Sequence, residues 1–182
     1  MTPPDRLDAA EGRRLLALAR EAIRSHLAGE PGPATPAGEP TRAVFVTLLR
    51  REDGALRGCI GHVEARAPLS AAVARAAVLA ATRDPRFAPV ERAELESLRI
   101  GVSVLSPFEP ASPEAVEPGV HGVLVNWRGS RGLLLPQVAS EHGWDRETLL
   151  DHACLKAGAP AGAWRDADAT LLVFTARVAC EA

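Results

Sequence analysis

Apolar and polar positions along this chain recur with two different periods, and each change of period marks where a helix gives way to a strand. Leu15, Leu16, Ala19, Ala22, Ile23 and Leu27 return at helical spacing. Asp8 ahead of them, with Glu11 one turn in, has the form of a helix start, and Gly29 that of a stop, so the pattern predicts an amphipathic helix from Asp8 to about Ala28. Residues 29–40 then turn to Pro, Gly, Ala and Thr, a loop short enough to lie over a domain instead of dividing one. Ala43 to Leu49 and Leu56 to Gly61, on either side of the turn pair Asp53-Gly54, predict a hairpin. Pro68 opens a second helix over 69–81, in which Leu69, Ala72, Val73, Ala76, Ala77 and Ala80 form a stripe of small residues that lets it approach a sheet closely. It should stop before Pro85, because the residue preceding a proline is disfavoured in helical geometry.

The second half continues in the same manner. Glu91 to Leu98 reads as a short helix, and the alternation of Ile100, Val102 and Val104 makes Arg99 to Leu105 a strand. Pro107, Pro110, Pro113 and Pro118 make the next segment extended and loop-like. Gly122 to Trp127 and Arg131 to Leu135 flank Arg128-Gly129 as a second hairpin, which Pro136 ends. Asp145 caps a helix through Ala157, Gly158 stops it, and Leu171 to Val178 is a late strand. Two hairpin regions separated by helices, without regular strand-helix alternation, predict an α+β fold in which a mixed or antiparallel sheet packs with helices. Residues 1–182 fit one domain, or one domain with a smaller subdomain.

Charge narrows the functional classes. A net charge of -2, a pI near 6.2 and 4% aromatic residues leave neither a phosphate-attracting surface nor stacking platforms, which argues against nucleic acid. All but one of the 21 basic residues are arginine, which reads as a compositional bias and carries no function. No apolar run approaches a bilayer span, and Met1 to Asp5 lack the charged start and apolar centre of a signal peptide, so the expected location is cytoplasmic. Cys59, Cys154 and Cys180 are widely spaced and odd in number, so reduced thiols are expected.

One stretch does not serve its strand. Leu56-Arg57-Gly58-Cys59-Ile60-Gly61 carries two glycines, a cation and a thiol, and glycine inside a strand marks a bulge or a place where backbone or ligand comes close. Cys59 is a candidate nucleophile or a small buried hydrophobe. Arg57, two residues away and on the same face by strand alternation, either favours a thiolate and clamps an anion or forms a surface ion pair. A thiolate held by Arg57 would be alkylated ahead of Cys154 and Cys180.

The same hexapeptide resembles the signature of the AMMECR-type domain family. Further matches follow in the family's order from about Val44 to Phe174: Asp84-Pro85-Arg86-Phe87 with Pro89, Val102-Ser103-Val104-Leu105, Gly119 with His121-Gly122, Leu134 to Ala139, Gly143-Trp144-Asp145, and Cys154 with Lys156-Ala157-Gly158. The resemblance implies a mixed sheet with helices on it and a smaller subdomain beside it. Bacterial and archaeal members are called AmmeMemoRadiSam system protein A, which implies a Memo-like or radical-SAM protein as partner. Neither the residues nor the resemblance specifies a cofactor or a reaction.

Other side chains extend the candidate site. His121 before Gly122 is either an acid or base paired with Cys59 or a turn histidine bonded to backbone. Asp84 and Arg86 around Pro85 either close their loop as an ion pair or form a pocket wall, with Phe87 as a core anchor. Gln137 either reads a ligand's polar edge or holds the next turn. Gly58 and Gly61 complete the substrate-binding set with Arg57. Metal ligation is not expected, because no His or Cys pair is matched by a second at zinc-like spacing. Two functions follow: an enzyme or enzyme component acting through Cys59 on a small anionic substrate or a modified macromolecule, or a non-catalytic adaptor for a partner protein. In either case, filter or fluorescence binding to RNA and DNA at moderate salt should show nothing specific, whereas tight, salt-sensitive binding would restore the nucleic-acid class.

Overall fold

The computed structural model describes residues 7–182, so Met1 to Asp5, read above for a targeting signal, lie outside the described residues. In chain order come helix α1 (Ala9–Ala28), strands β1 (Val44–Arg50) and β2 (Leu56–His62), helix α2 (Leu69–Thr82), a 3-10 turn over Arg92–Ser97, and β3 (Leu98–Leu105). Then follow β4 (Glu109–Pro110), a 3-10 turn over Pro113–Ala115, β5 (Gly122–Trp127), β6 (Ser130–Leu134), α3 (Pro136–His142), α4 (Arg146–Lys156), a 3-10 turn over Ala163–Arg165, β7 (Ala169–Phe174) and β8 (Ala176–Cys180). The architecture is α+β, with two four-stranded sheets ordered β2-β1-β3-β8 and β4-β7-β5-β6. Residues 7–105 with Arg177–Ala182 form one compact unit, and Ser106–Ala176 form the other. No helix among the described residues is long and apolar enough to cross a membrane.

Local chemistry explains the first unit. The Asp8 carboxylate accepts the Ala10 N–H at 2.9 Å, and Gly29 ends α1 with φ 71°, a conformation in which a side chain would be strained. Strand β1 runs antiparallel to both β2 and β3, and its Val44, Val46 and Leu48 are all fully buried. They share the core with Ile100, Val102, Leu15, Ile23 and Val73. Each such side chain contributes roughly 1.5–3 kcal/mol of burial. Helix α2 turns Ala72, Val73, Ala76, Ala77, Ala80 and Ala81 inward. Its small face brings backbone against backbone: a Cβ on Gly58 of β2 would lie 2.3 Å from the Ala80 carbonyl oxygen.

The second unit repeats the device. A Cβ on Gly132 of β6 would lie 2.0 Å from the Ala153 carbonyl oxygen of α4. Its core gathers Val123, Val125, Leu149, Leu150, Cys154 and Leu171. Two expectations change here. Pro136 does not simply end the second hairpin; it occupies the first turn of α3, where its missing N–H costs nothing, and Gly143 closes that helix at φ 65°. The late strand also divides at Thr175, so that β7 belongs to the second sheet and β8 to the first. Thr175 and Arg177 fall at alternate positions, so the run keeps a strand's period and carries no mark of such a change of sheet.

The Gly58 contact makes a sharp prediction. Gly58→Ala should lower stability by roughly 3 kcal/mol, the upper end of the usual overpacking cost, because the obstructing atom is backbone and cannot rotate away. Gly54→Ala, in open space at φ 70°, should cost about 1 kcal/mol from backbone strain alone. Urea unfolding of both variants checks the ranking, and equal losses would remove the close-approach account.

Candidate functional site around Cys59

The hexapeptide forms β2, the edge strand of the first sheet. Both of its glycines are taken up by packing. Gly58 lies beneath Ala80, and a Cβ on Gly61 would sit 2.3 Å from the Phe45 ring, its direct cross-strand neighbour. The register also slips beside Arg57: Leu48 faces Gly58 and Leu49 faces Leu56, so Arg57 is the extra residue of a β-bulge. The bulge removes Arg57 from the two-residue alternation that was expected to set it beside Cys59.

Arg57 is fully committed elsewhere. Its guanidinium donates to Glu94 Oε1 at 2.6 Å and Oε2 at 2.9 Å, and to the Ala88 and Pro89 carbonyls at 2.9 and 3.5 Å. Its side chain is 14% exposed. The fork therefore pins β2 to the 88–94 segment, and the charge expected to hold a thiolate or an anion is balanced by a carboxylate. Phe87 lies between two cations, its ring centre 6.0 Å from the Arg57 guanidinium and 5.5 Å from that of Arg86. Such cation–π contacts are worth about 0.5–1 kcal/mol each.

Asp84 and Arg86 act on the strand edge. The Asp84 carboxylate, 4% exposed as a residue, accepts the Cys59 N–H at 2.8 Å and both arms of the Arg86 guanidinium at 2.9 and 2.7 Å. Arg86 in turn reaches the Cys59 carbonyl at 3.4 Å. Together the pair satisfies the outward N–H and C=O of Cys59 as a neighbouring strand would, which closes the edge at that residue. The Arg86 hydrogen bonds, helped by the Cys59 N–H and opposed by burial, hold the Asp84 carboxyl far below the usual carboxylate range. The same hydrogen bonds raise Arg86, against an opposing effect of burial.

Cys59 itself is half-buried and pairs with Thr47 across the ladder, Sγ lying 3.3 Å from Thr47 Oγ1. Cys180 is exposed and Cys154 buried, the latter's thiol pushed up mainly by burial. His121 and Gln137 belong to the second unit. His121 Nδ1 accepts the Glu117 N–H at 3.1 Å and the His121 backbone N–H donates to the Glu117 carbonyl at 2.9 Å, the arrangement of a turn histidine. Gln137 lies in the first turn of α3, and its Oε1 is buried without a hydrogen-bond partner among the described residues. Among those residues no three His, Cys, Asp or Glu side chains gather as a metal site requires. Glu94 is the participant that sequence reasoning missed. Its signal, an acid 37 residues from Arg57 in a short helical turn, has no period or motif to reveal it.

The AMMECR1 family model matches residues 16–179. A protein of Methanothermobacter thermautotrophicus is 43% identical, the match covering 94% of this chain and 95% of the relative. One from Methanopyrus kandleri is 46% identical over 96% and 90% of the two chains. The crystal structure of an uncharacterised protein from Pyrococcus horikoshii superposes with a TM-score of 0.87 at 38% identity, covering 94% of this chain and 92% of that one.

Asp84 gives the site a pH signature. Its folded carboxyl titrates far below its unfolded value of about 3.9, so its stabilisation is complete above about pH 4 and fades as pH falls toward the lower folded value. Asp84→Ala should cost about 3 kcal/mol at neutral pH, as expected for removing one partner of a buried pair. It should also flatten the stability profile between about pH 4 and 2. Denaturant titrations across that range measure both effects, and an unchanged acid slope would mean that Asp84 does not carry the linkage.

Proposed function

We propose that this chain, which belongs to the AMMECR1 family, works as a component of a larger enzyme system, presenting the Cys59 thiol from a rigid strand edge to a substrate or partner protein. The observation that supports this most is the way the backbone at Cys59 is held. Asp84 and Arg86 hold the N–H and C=O while the side chain stays half-exposed beside Thr47. A nucleophile needs this combination of fixed position and access. Within its own unit the thiol's hydrogen-bond partner is the Thr47 hydroxyl, so the general base comes from elsewhere, either the substrate or a partner such as a Memo-like or radical-SAM protein.

One observation favours a non-catalytic adaptor as the second reading. Arg57, Asp84 and Arg86, the charged groups of the segment, all make structural bonds. An adaptor would use the same rigid surface without covalent chemistry.

The thiols separate the two readings. Iodoacetamide near neutral pH should label Cys59 and Cys180 in the native protein, and Cys154 only after unfolding, as read by peptide mass spectrometry. Addition of a purified Memo-like or radical-SAM partner should protect Cys59 and leave Cys180 reactive. Cys59→Ala should change stability by no more than about 1 kcal/mol and abolish turnover in the reconstituted system. A Cys59 that resists native labelling would overturn the enzyme-component reading. A Cys59→Ala variant that binds the partner and sustains turnover would establish the adaptor instead.

A further inference from the structure

The anion site expected at Arg57 has a better candidate a few residues along the same strand. A cavity of about 370 Å³ opens where β2 ends, lined by Gly61, His62, Arg42, Glu64, Arg66 and Arg75 among others. Its frame is tied by backbone contacts: Thr41 bridges Pro68, the Arg42 N–H reaches the Ala67 carbonyl at 3.4 Å, and the Leu69 N–H donates to the Pro40 carbonyl at 3.1 Å. These bonds bring the 40–42 and 66–69 segments together, and Arg75 joins them from the exposed side of α2.

Among the described residues most arginines of the first unit are ion-paired, while Arg13, Arg83, Arg92 and Arg99 are not; what distinguishes this cavity is that two unpaired ones line it together. Arg14, Arg20, Arg24, Arg50, Arg57 and Arg86 all have a carboxylate partner. Arg66 pairs with Glu64. Arg42 bonds only to the neighbouring Thr41 carbonyl, at 3.0 Å, and Arg75 has no hydrogen-bond or ion-pair partner among the described residues. Two uncompensated guanidinium groups thus line one concavity of a protein whose net charge is -2. Two unpaired cations lining one cavity make an anion its complementary ligand. His62 Nε2, also at this cavity, is buried with no hydrogen-bond partner among the described residues.

We propose that this cavity binds a small phosphate monoester, with Arg42 and Arg75 neutralising the phosphate while Arg66 stays paired with Glu64. A planar carboxylate is satisfied by one guanidinium fork, whereas two unpaired guanidinium groups arriving from separate segments suit a doubly charged tetrahedral group with several terminal oxygens. The volume also falls within the range of small-ligand sites and leaves room for an organic substituent beyond the phosphate. This site is independent of the thiol reading, since Cys59 does not line it.

Isothermal titration calorimetry of the full chain with phenyl phosphate and, separately, inorganic phosphate tests the proposal, with succinate and sulfate as controls at constant ionic strength. Phenyl phosphate should bind saturably and at least tenfold more tightly than succinate. Arg42→Ala and Arg75→Ala should each weaken it tenfold or more, Arg75→Lys should weaken it less, and circular dichroism melts should confirm that the variants fold. Cys59→Ser should leave the binding unchanged, which keeps this test separate from that of the thiol. Failure of both phosphates to bind saturably, succinate binding as tightly as phenyl phosphate, or undiminished binding in both alanine variants would overturn the assignment.

Discussion

Much of this structure depends on one steric constraint: a helix backbone resting directly on a strand where no side chain intervenes. Helix α2 meets β2 through Ala80 over Gly58, and α4 meets β6 through Ala153 over Gly132. The approach is possible only because both partners are stripped of bulk, the helix by its alanines and the strand by its glycine. Dispersion then acts over a backbone-to-backbone distance that any Cβ would prevent. The two sheets share a second device. Phe45 covers Gly61 and Phe174 covers Gly122 as direct cross-strand pairs, each ring filling the space that its glycine leaves open.

Once β2 is held in this way, the rest of the candidate site follows from it. An edge strand with free N–H and C=O groups is a template for unwanted pairing, and this one is closed at Cys59 by the Asp84–Arg86 pair. A bulge at Arg57 sends the neighbouring cation to Glu94. Gly58, Arg57, Asp84 and Arg86 thus form one structural unit whose product is a thiol with a fixed backbone and an open side. The same strand ends at a basic cavity in which Arg42 and Arg75 lack the carboxylates that most other arginines in the first unit have. Rigidity at one end of β2 and uncompensated charge at the other are compatible with a domain that holds a ligand and presents a reactive group to another protein.

Most of the elements were legible in the chain because they rest on local rules. Asp8 and Gly29 bracket α1, Asp145 caps α4, and the alanine stripe foretold a helix lying close on a sheet. Each depends on residues within a turn or two of one another, so period and capping chemistry reveal them. What went unread lies where the signal is ambiguous or distant. Pro136 ends a strand and begins a helix with equal ease, and the change of sheet at Thr175 leaves the strand-like period of the run intact.

The sequence by itself determined the α+β class, the family resemblance, the two hairpins, and the fact that Leu56 to Gly61 is not an ordinary strand. Tertiary structure alone decided what its odd residues are for. Gly58 and Gly61 answer to Ala80 and Phe45, Arg57 to Glu94, and Cys59 to Asp84, partners between 16 and 37 residues away. A glycine states only that a side chain is absent, and an arginine only that a charge is present. Which backbone, ring or carboxylate meets them is settled by packing between segments that no local period connects.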